Sequence, residues 1–379
     1  MTMQKRLRPS SYGGECFATK SDADIGAAYG RWVRMTELIR EQARACDELG
    51  SPMYGELLRL VAEDNELGGQ SVPVLRGHED DPGPSALALR LLGSVHRLVL
   101  SGAVPELAAF YPSVGGEWDP VLGWDAFQQV LESHREEIRV WLERHPQTNE
   151  VGRAAALMGG LLRLPAALRL PVRLFEFGAS AGLNLRADHF HYSGTDGATF
   201  GPEDSPVRLD RAWLGVPLTP WPELQIVERA GADIEPLDPT TPDGGLTLMS
   251  YVWPDMADRL ARLRGALEIA REVPAPVRRQ DAAAFLRGLV LAEGAVTVAW
   301  HSIMWQYLSA EGKAAAEQAI AALAALATAA APFAHLSLEP GRRSPDSPRE
   351  FLVVLQVWPS GERRVLGTAA PHGIPAVWK

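Results

Sequence analysis

The chain is 379 residues long, with 46% apolar and 22% charged residues, a balance that excludes a disordered, collagenous or coiled-coil protein. Lys and Arg number 37 against 47 Asp and Glu, and the resulting net charge of −10 lacks the electrostatic footprint of a nucleic-acid binder. No apolar run is long enough to span a membrane, and the basic start MTMQKRLRPSSYGGECF has no apolar stretch behind it. Two cysteines, Cys16 and Cys46, build neither a disulfide framework nor a zinc site, so the expected setting is the cytoplasm.

The first part reads as helices. Trp32, Met35, Ile39, Ala43 and Cys46 recur at spacings of three and four, and so do Phe127, Val130, His134, Ile138 and Trp141. Further helical stretches cover about 85–101 and 147–168, separated by loops rich in Gly, Pro and Asp. Residues 1–168 are therefore expected to form a helical domain that covers one side of the remaining chain.

From residue 172 the pattern becomes strand, helix, strand. VRLFEF is an apolar run ending at Gly178, and LTLMSY (246–251), VRR (277–279), AVTVAWHS (295–302) and HLSLE (335–339) are the next strand candidates. FLVVLQVW (351–358) and RRVLGTA (363–369) read as a closing hairpin. Alternating strands and helices predict a parallel, Rossmann-like sheet of seven strands over 169–379. An insertion, 190–245, comes after the first strand–helix unit and is expected to form a lid or ribbon. In such open sheets the ligand lies beyond the carboxyl ends of the strands.

The segment LFEFGASAGLNL admits two sharp readings. As a cofactor loop, Gly178, Ser180 and Gly182 let the backbone approach a ligand while Glu176 accepts hydrogen bonds. As Gly-x-Ser-x-Gly, it fits the elbow of a serine hydrolase with Ser180 as nucleophile. A tight turn that only packs helix on sheet is the plain alternative. Its place on the first strand of the sheet favours the cofactor loop. His189 and His191 have a His-x-His spacing, but no third ligand is identifiable and no metal is expected.

Region 172–379 resembles the class I S-adenosylmethionine-dependent methyltransferases, on EFGASAG, QDAAAFL, the strand ending at His301 and the final hairpin. Nearly the whole chain resembles a bacterial family of uncharacterised proteins, on FEFGASAGLNL, AGADIEPLDP, YVWPD, HSIMWQY and a terminal HG with a W after it. The methyltransferase resemblance implies S-adenosylmethionine as cofactor, with Glu176, Gly178, Ser180 and Gly182 around its methionine and ribose and Asp281 near adenine. Asn184 is a further candidate contact. The usual acid at the end of the second strand is replaced by Tyr251, which leaves Asp255, four residues on, as the ribose candidate. His301 and Tyr307 are the catalytic candidates, His301 as general base.

The expected function is methyl transfer to a small molecule, without nucleic-acid or membrane partners and with possible homo- or hetero-oligomers. The alternatives are leaving-group displacement on the same fold, a non-catalytic partner subunit, and a serine hydrolase.

Overall fold

The computed structural model describes residues 22–379; Cys16 and the remainder of the segment before residue 22 lie outside the described residues. Met35, Ile39, Ala43 and Cys46 are buried along one side of the helix Asp22–Glu48. Ser51 starts the next helix, Pro52–Leu67, by accepting the Tyr54 N–H, and Gly68 ends it at φ +76. His134, at φ −115, divides the expected Phe127–Trp141 stripe into helices Leu122–Ser133 and Arg135–Leu142. Together with Leu87–Leu100 these helices share one core, from Met35 to Leu142, which also takes in Trp253. Helix Ala154–Leu161 is buried on every side and packs with the sheet instead, in a core that contains Val172, Trp300 and Trp378.

The sheet is mixed and has eleven strands, which are β1 (Val172–Phe177), β2 (His191–Gly194), β3 (Thr199–Phe200), β4 (Arg208–Gly215), β5 (Ile226–Asp233), β6 (Val277–Arg279), β7 (Val296–Ser302), β8 (Phe333–Gly341), β9 (Glu350–Trp358), β10 (Glu362–Ala369) and β11 (Ala376–Trp378). Their order is β3-β2-β4-β11-β10-β9-β8-β7-β1-β5-β6. From β6 to β8 neighbours run parallel, with β1 between β5 and β7; β9 and β10 then turn back and forth antiparallel. Helices Ala154–Leu161 and Ala257–Glu272 cover one face, and Ala282–Arg287 and Ala310–Leu326 the other. This is an α/β architecture, and its sheet is larger than the seven strands expected.

Two expectations are corrected. LTLMSY is not a strand: its first five residues lie in the helix Pro242–Ser250, which Tyr251 ends, which Thr241 caps by accepting the Gly244 N–H and which carries Pro242 in its first turn. A short apolar run cannot tell a buried strand from a buried helix, and here the cap decides. The second strand is β5, inside the segment assigned to an insertion. Residues 190–245 are thus not a lid: they supply β2, β3 and β4 at one sheet edge, and β5 beside β1.

Candidate functional site

The turn after β1 is held in left-handed backbone at three positions, Gly178 (φ +68), Ser180 (φ +53) and Gly182 (φ +67). A Cβ added at Gly178 would lie 2.7 Å from Met304 Cγ, and one at Gly182 2.6 Å from Val277 Cγ2. Ser180 has a side chain and therefore needs anchoring in this conformation. Its N–H donates to Asp233 Oδ2 at 2.8 Å, and its hydroxyl donates to Gln147 Oε1. Asp233 is the last residue of β5, so an acid does stand at the end of the second strand, beside the glycine turn. Its neighbour Ile234 is exposed. Asp281, one residue beyond Gln280 whose N–H donates to the Asp233 carbonyl, caps helix Ala282–Arg287 through the Ala284 N–H at 2.9 Å. Ile303, β-branched at φ +49, marks a second strained turn after β7.

Glu176 is buried beneath this turn. Trp300 Nε1 donates to its Oε1 at 3.1 Å, and its Oε2 has no partner among the described residues. Burial drives the carboxyl up to about 8, against the lowering by Trp300 and by the positive charge of Arg153.

The segment 146–150, without regular secondary structure, lies across the same strand ends, and its residues alternate in role. Gln147 holds Ser180, and Asn149 Oδ1 accepts the Leu183 N–H at 2.9 Å. Pro146, Thr148 and Glu150 face the other way and line a cleft of about 230 Å³ between the helical layer and the sheet. Trp253, Tyr251 and Tyr307 form much of its aromatic wall.

Glu150 is the anchor of that cleft. Arg259 Nε and Nη2 lie 2.7 and 2.6 Å from its Oε2, the Gly152 N–H donates to Oε1, and His372 Nδ1 stands 3.5 Å from Oε2. Burial alone would raise this carboxyl, but Arg259 and His372 beside it hold it well below the usual carboxylate range. Burial in turn pushes His372 below its usual value, against the pull of Glu150. The ring of His372 meets Trp253 edge to face, and its Nε2 has no partner among the described residues. Arg153 spends Nε on the Pro371 carbonyl and Nη1 on the Ser302 carbonyl, and it forms no ion pair among the described residues. A second, more open hollow of about 330 Å³ shares Arg153 and His372 with the cleft.

A family model described as "Uncharacterized protein conserved in bacteria (DUF2332)" matches residues 36–378. The chain belongs to the DUF2332 family. Neither a curated protein nor a solved structure matches it.

The match in this DUF2332 chain spans both the glycine turn and the cleft. The other residues that the sequence singles out are spread over the fold. Asp255 does not reach the turn: it accepts from Ser51 Oγ at 2.6 Å and from the Met53 N–H at 3.1 Å, and so ties the loop after helix Pro242–Ser250 to the helical layer. Its candidacy as ribose ligand depended on 246–251 being a strand, which it is not; the acid at the end of the strand beside β1 is Asp233. Asn184 Nδ2 donates to the Glu150 carbonyl, a contact between the turn and the cleft segment. Tyr307 is exposed and stands at the cleft.

His301 of the DUF2332 chain has both ring nitrogens engaged. Nδ1 lies 2.8 Å from Glu339 Oε1, and Nε2 lies 3.1 Å from His335 Nε2. Glu339 Oε1 also accepts the Met304 and Trp305 N–H groups. Burial, with His301 alongside, lowers His335 to about 3, so the neighbouring ring is neutral. The histidine with an unpartnered nitrogen at the cleft is His372, which stands out in the sequence only as part of the terminal HG motif. Ser180 bonds to Gln147, an amide rather than a histidine, which removes the base that a hydrolase elbow requires.

Proposed function

We propose that this protein is an S-adenosylmethionine-dependent methyltransferase acting on a small molecule. The observation that carries the reading is Asp233. The methyltransferase resemblance calls for an acid at the end of the strand next to the glycine turn, and Asp233 is that acid, on β5 beside β1. The parallel order β6-β5-β1-β7-β8 is the one in which this turn falls at a topological switch point.

The side chains present suit such a cofactor. Asp233 would accept hydrogen bonds from the ribose hydroxyls, exposed Ile234 would lie against the base, and Asp281 would accept from its exocyclic amine. The unpartnered Oε2 of Glu176 is a buried polar atom that the cofactor's ammonium would satisfy once the carboxyl gives up its proton, which the nearby positive charge would favour. Met304, which lies over Gly178, is a flexible side chain able to give way. When bound, the cofactor supplies an activated methyl group on a sulfonium. The chain's own contribution is to orient it, to hold the acceptor in the cleft bounded by segment 146–150, and to keep water out with Trp253 and Tyr251.

Calorimetric titration with S-adenosylmethionine and its demethylated product tests this. The parent protein should bind both. Asp233→Asn, which keeps an acceptor for the Ser180 N–H but loses the charge, should bind at least tenfold more weakly, because hydrogen bonds to a charged acceptor are roughly twice as strong as neutral ones. A parent protein that gives no binding heat at millimolar cofactor would remove the proposal.

A further inference from the structure

The turn after β7 is fastened by a convergence of bonds. Ile303 stands at φ +49, and a β-branched residue in left-handed backbone persists only where its surroundings over-determine it. Four consecutive backbone groups supply that hold. The Ser302 carbonyl accepts from Arg153 Nη1 at 3.3 Å, and the Ile303 N–H donates to the Leu338 carbonyl at 2.9 Å. The Met304 and Trp305 N–H groups both donate to Glu339 Oε1, at 3.0 and 3.2 Å. The same oxygen lies 2.8 Å from His301 Nδ1, so one side-chain atom grips the chain on both sides of Ile303.

What this grip positions is Met304. A Cβ added at Gly178 would lie 2.7, 2.8 and 3.1 Å from Met304 Cγ, Cβ and Cε, so the methionine lies along the open face of that glycine. The other left-handed positions of the glycine turn are covered differently. Gly182 faces Val277, which is fixed in β6, and the Ser180 side chain is bonded to Gln147. Met304 is half-buried, unbranched and carried between β7 and the short helix Trp305–Tyr307, so it can move where Val277 cannot. Packing a methionine needs neither a strained residue nor an oxygen shared by three donors. A segment held against its backbone preference moves away once its hold is loosened.

We infer that residues 302–305 form a gate over the glycine turn, with Met304 as the plug and Glu339 as the latch, and that the ligand of the turn enters by swinging Met304 aside against the Glu339 bonds. The identity of that ligand, S-adenosylmethionine, rests on the proposed function; the latch is testable without it.

A latched gate lowers apparent affinity by the fraction of molecules that are open, and minor states of this kind are populated at roughly 0.1–10%. Met304→Ala, which removes the plug, should therefore bind S-adenosylmethionine about tenfold more tightly than the parent, or more, in calorimetric titration. Glu339→Gln keeps an acceptor oxygen but loses the charge that strengthens its bonds, and it should also bind more tightly. A residue that only supports the fold would act in the opposite direction, weakening binding when replaced. In the protein without cofactor, hydrogen exchange followed by NMR should show the Met304 and Trp305 amides of Glu339→Gln exchanging roughly tenfold faster than the parent's, the size of a weakened bond to a charged group, with β1 and β8 unchanged. Should Glu339→Gln fail to fold, Met304→Ala still decides. The gate is overturned if folded Met304→Ala binds the cofactor no more tightly than the parent does, or if the two amides of Glu339→Gln exchange at the parent's rate. Binding by Met304→Ala where the parent gives none would support the gate. Absence of binding in both would remove the methyltransferase reading, and exchange alone would then judge the gate: acceleration confined to 303–305 supports it and unchanged rates overturn it.

Discussion

Burial lifts Glu176 from 4.5 to about 8, so the folded protein keeps a proton over a pH range in which the unfolded chain has released it. The native state then binds more protons than the unfolded one, and stability falls as pH rises from about 4.5 to about 8. The slope is roughly 1.4 kcal/mol per pH unit, which amounts to about 3 kcal/mol by pH 7. Glu176→Gln keeps an acceptor for Trp300 and cannot ionise. Its advantage over the parent in chemical denaturation should therefore grow between pH 5 and 8 and level off above. A variant whose stability tracks the parent's at every pH would show that Glu176 carries no such burden. The site was only partly legible at this scale. Glu176, Gly178, Ser180 and Gly182 stand out because they are contiguous and their residue types match one task. Glu150 and Arg153 do not stand out, and His372 does so only through the terminal HG motif, which says nothing of Glu150, its partner from a distant part of the chain.

Among the elements, the segment 146–150 joins the glycine turn to the cleft, and its alternation divides it into a gripping side and a lining side. Asn149 sits at φ +24, which glycine also tolerates. Asn149→Gly should therefore keep the backbone path and strand the Leu183 N–H, at a cost of about 1–3 kcal/mol. Urea denaturation measures this, and unchanged stability would mean that the turn is not held from outside. The legible strands are β1, β7, β8 and β9, which have strong apolar runs, and also β6 and β10, which are short or polar but lie next to clear helix or turn signals. β5 was missed because its burial runs buried, exposed, exposed, half-buried, without alternation, and because it carries Glu228 and Arg229. Its signal was the small pair Gly231 and Ala232. A Cβ at Gly231 would lie 2.8 Å from that of Ala179, so close packing on the glycine turn demands that residue. Missing β5 hid Asp233 and made Asp255 the substitute.

Across the whole molecule, the sheet has a seam. β4, β2 and β3 meet the other strands only through β11, three residues long, which pairs in parallel with β4 and antiparallel with β10. Trp378 on β11 is buried in the main core, and a Cβ at Gly159 would lie 2.0 Å from its ring, so helix Ala154–Leu161 is shaped to receive it. Trp378→Ala should cost about 3–5 kcal/mol, as loss of a large buried aromatic does. Hydrogen exchange should show β2, β3 and β4 losing protection before β1 and β7, and uniform loss throughout the sheet would argue against a seam. The pairing of Trp213 with Ala376 also bridges more than a third of the chain. During synthesis from the amino end, β4 is made long before the strand that covers its free edge. Until then the nascent chain presents unpaired backbone donors and acceptors, the kind of edge that recruits other chains. The three residues that complete the sheet thus also end the period in which the newborn protein is most exposed to aggregation.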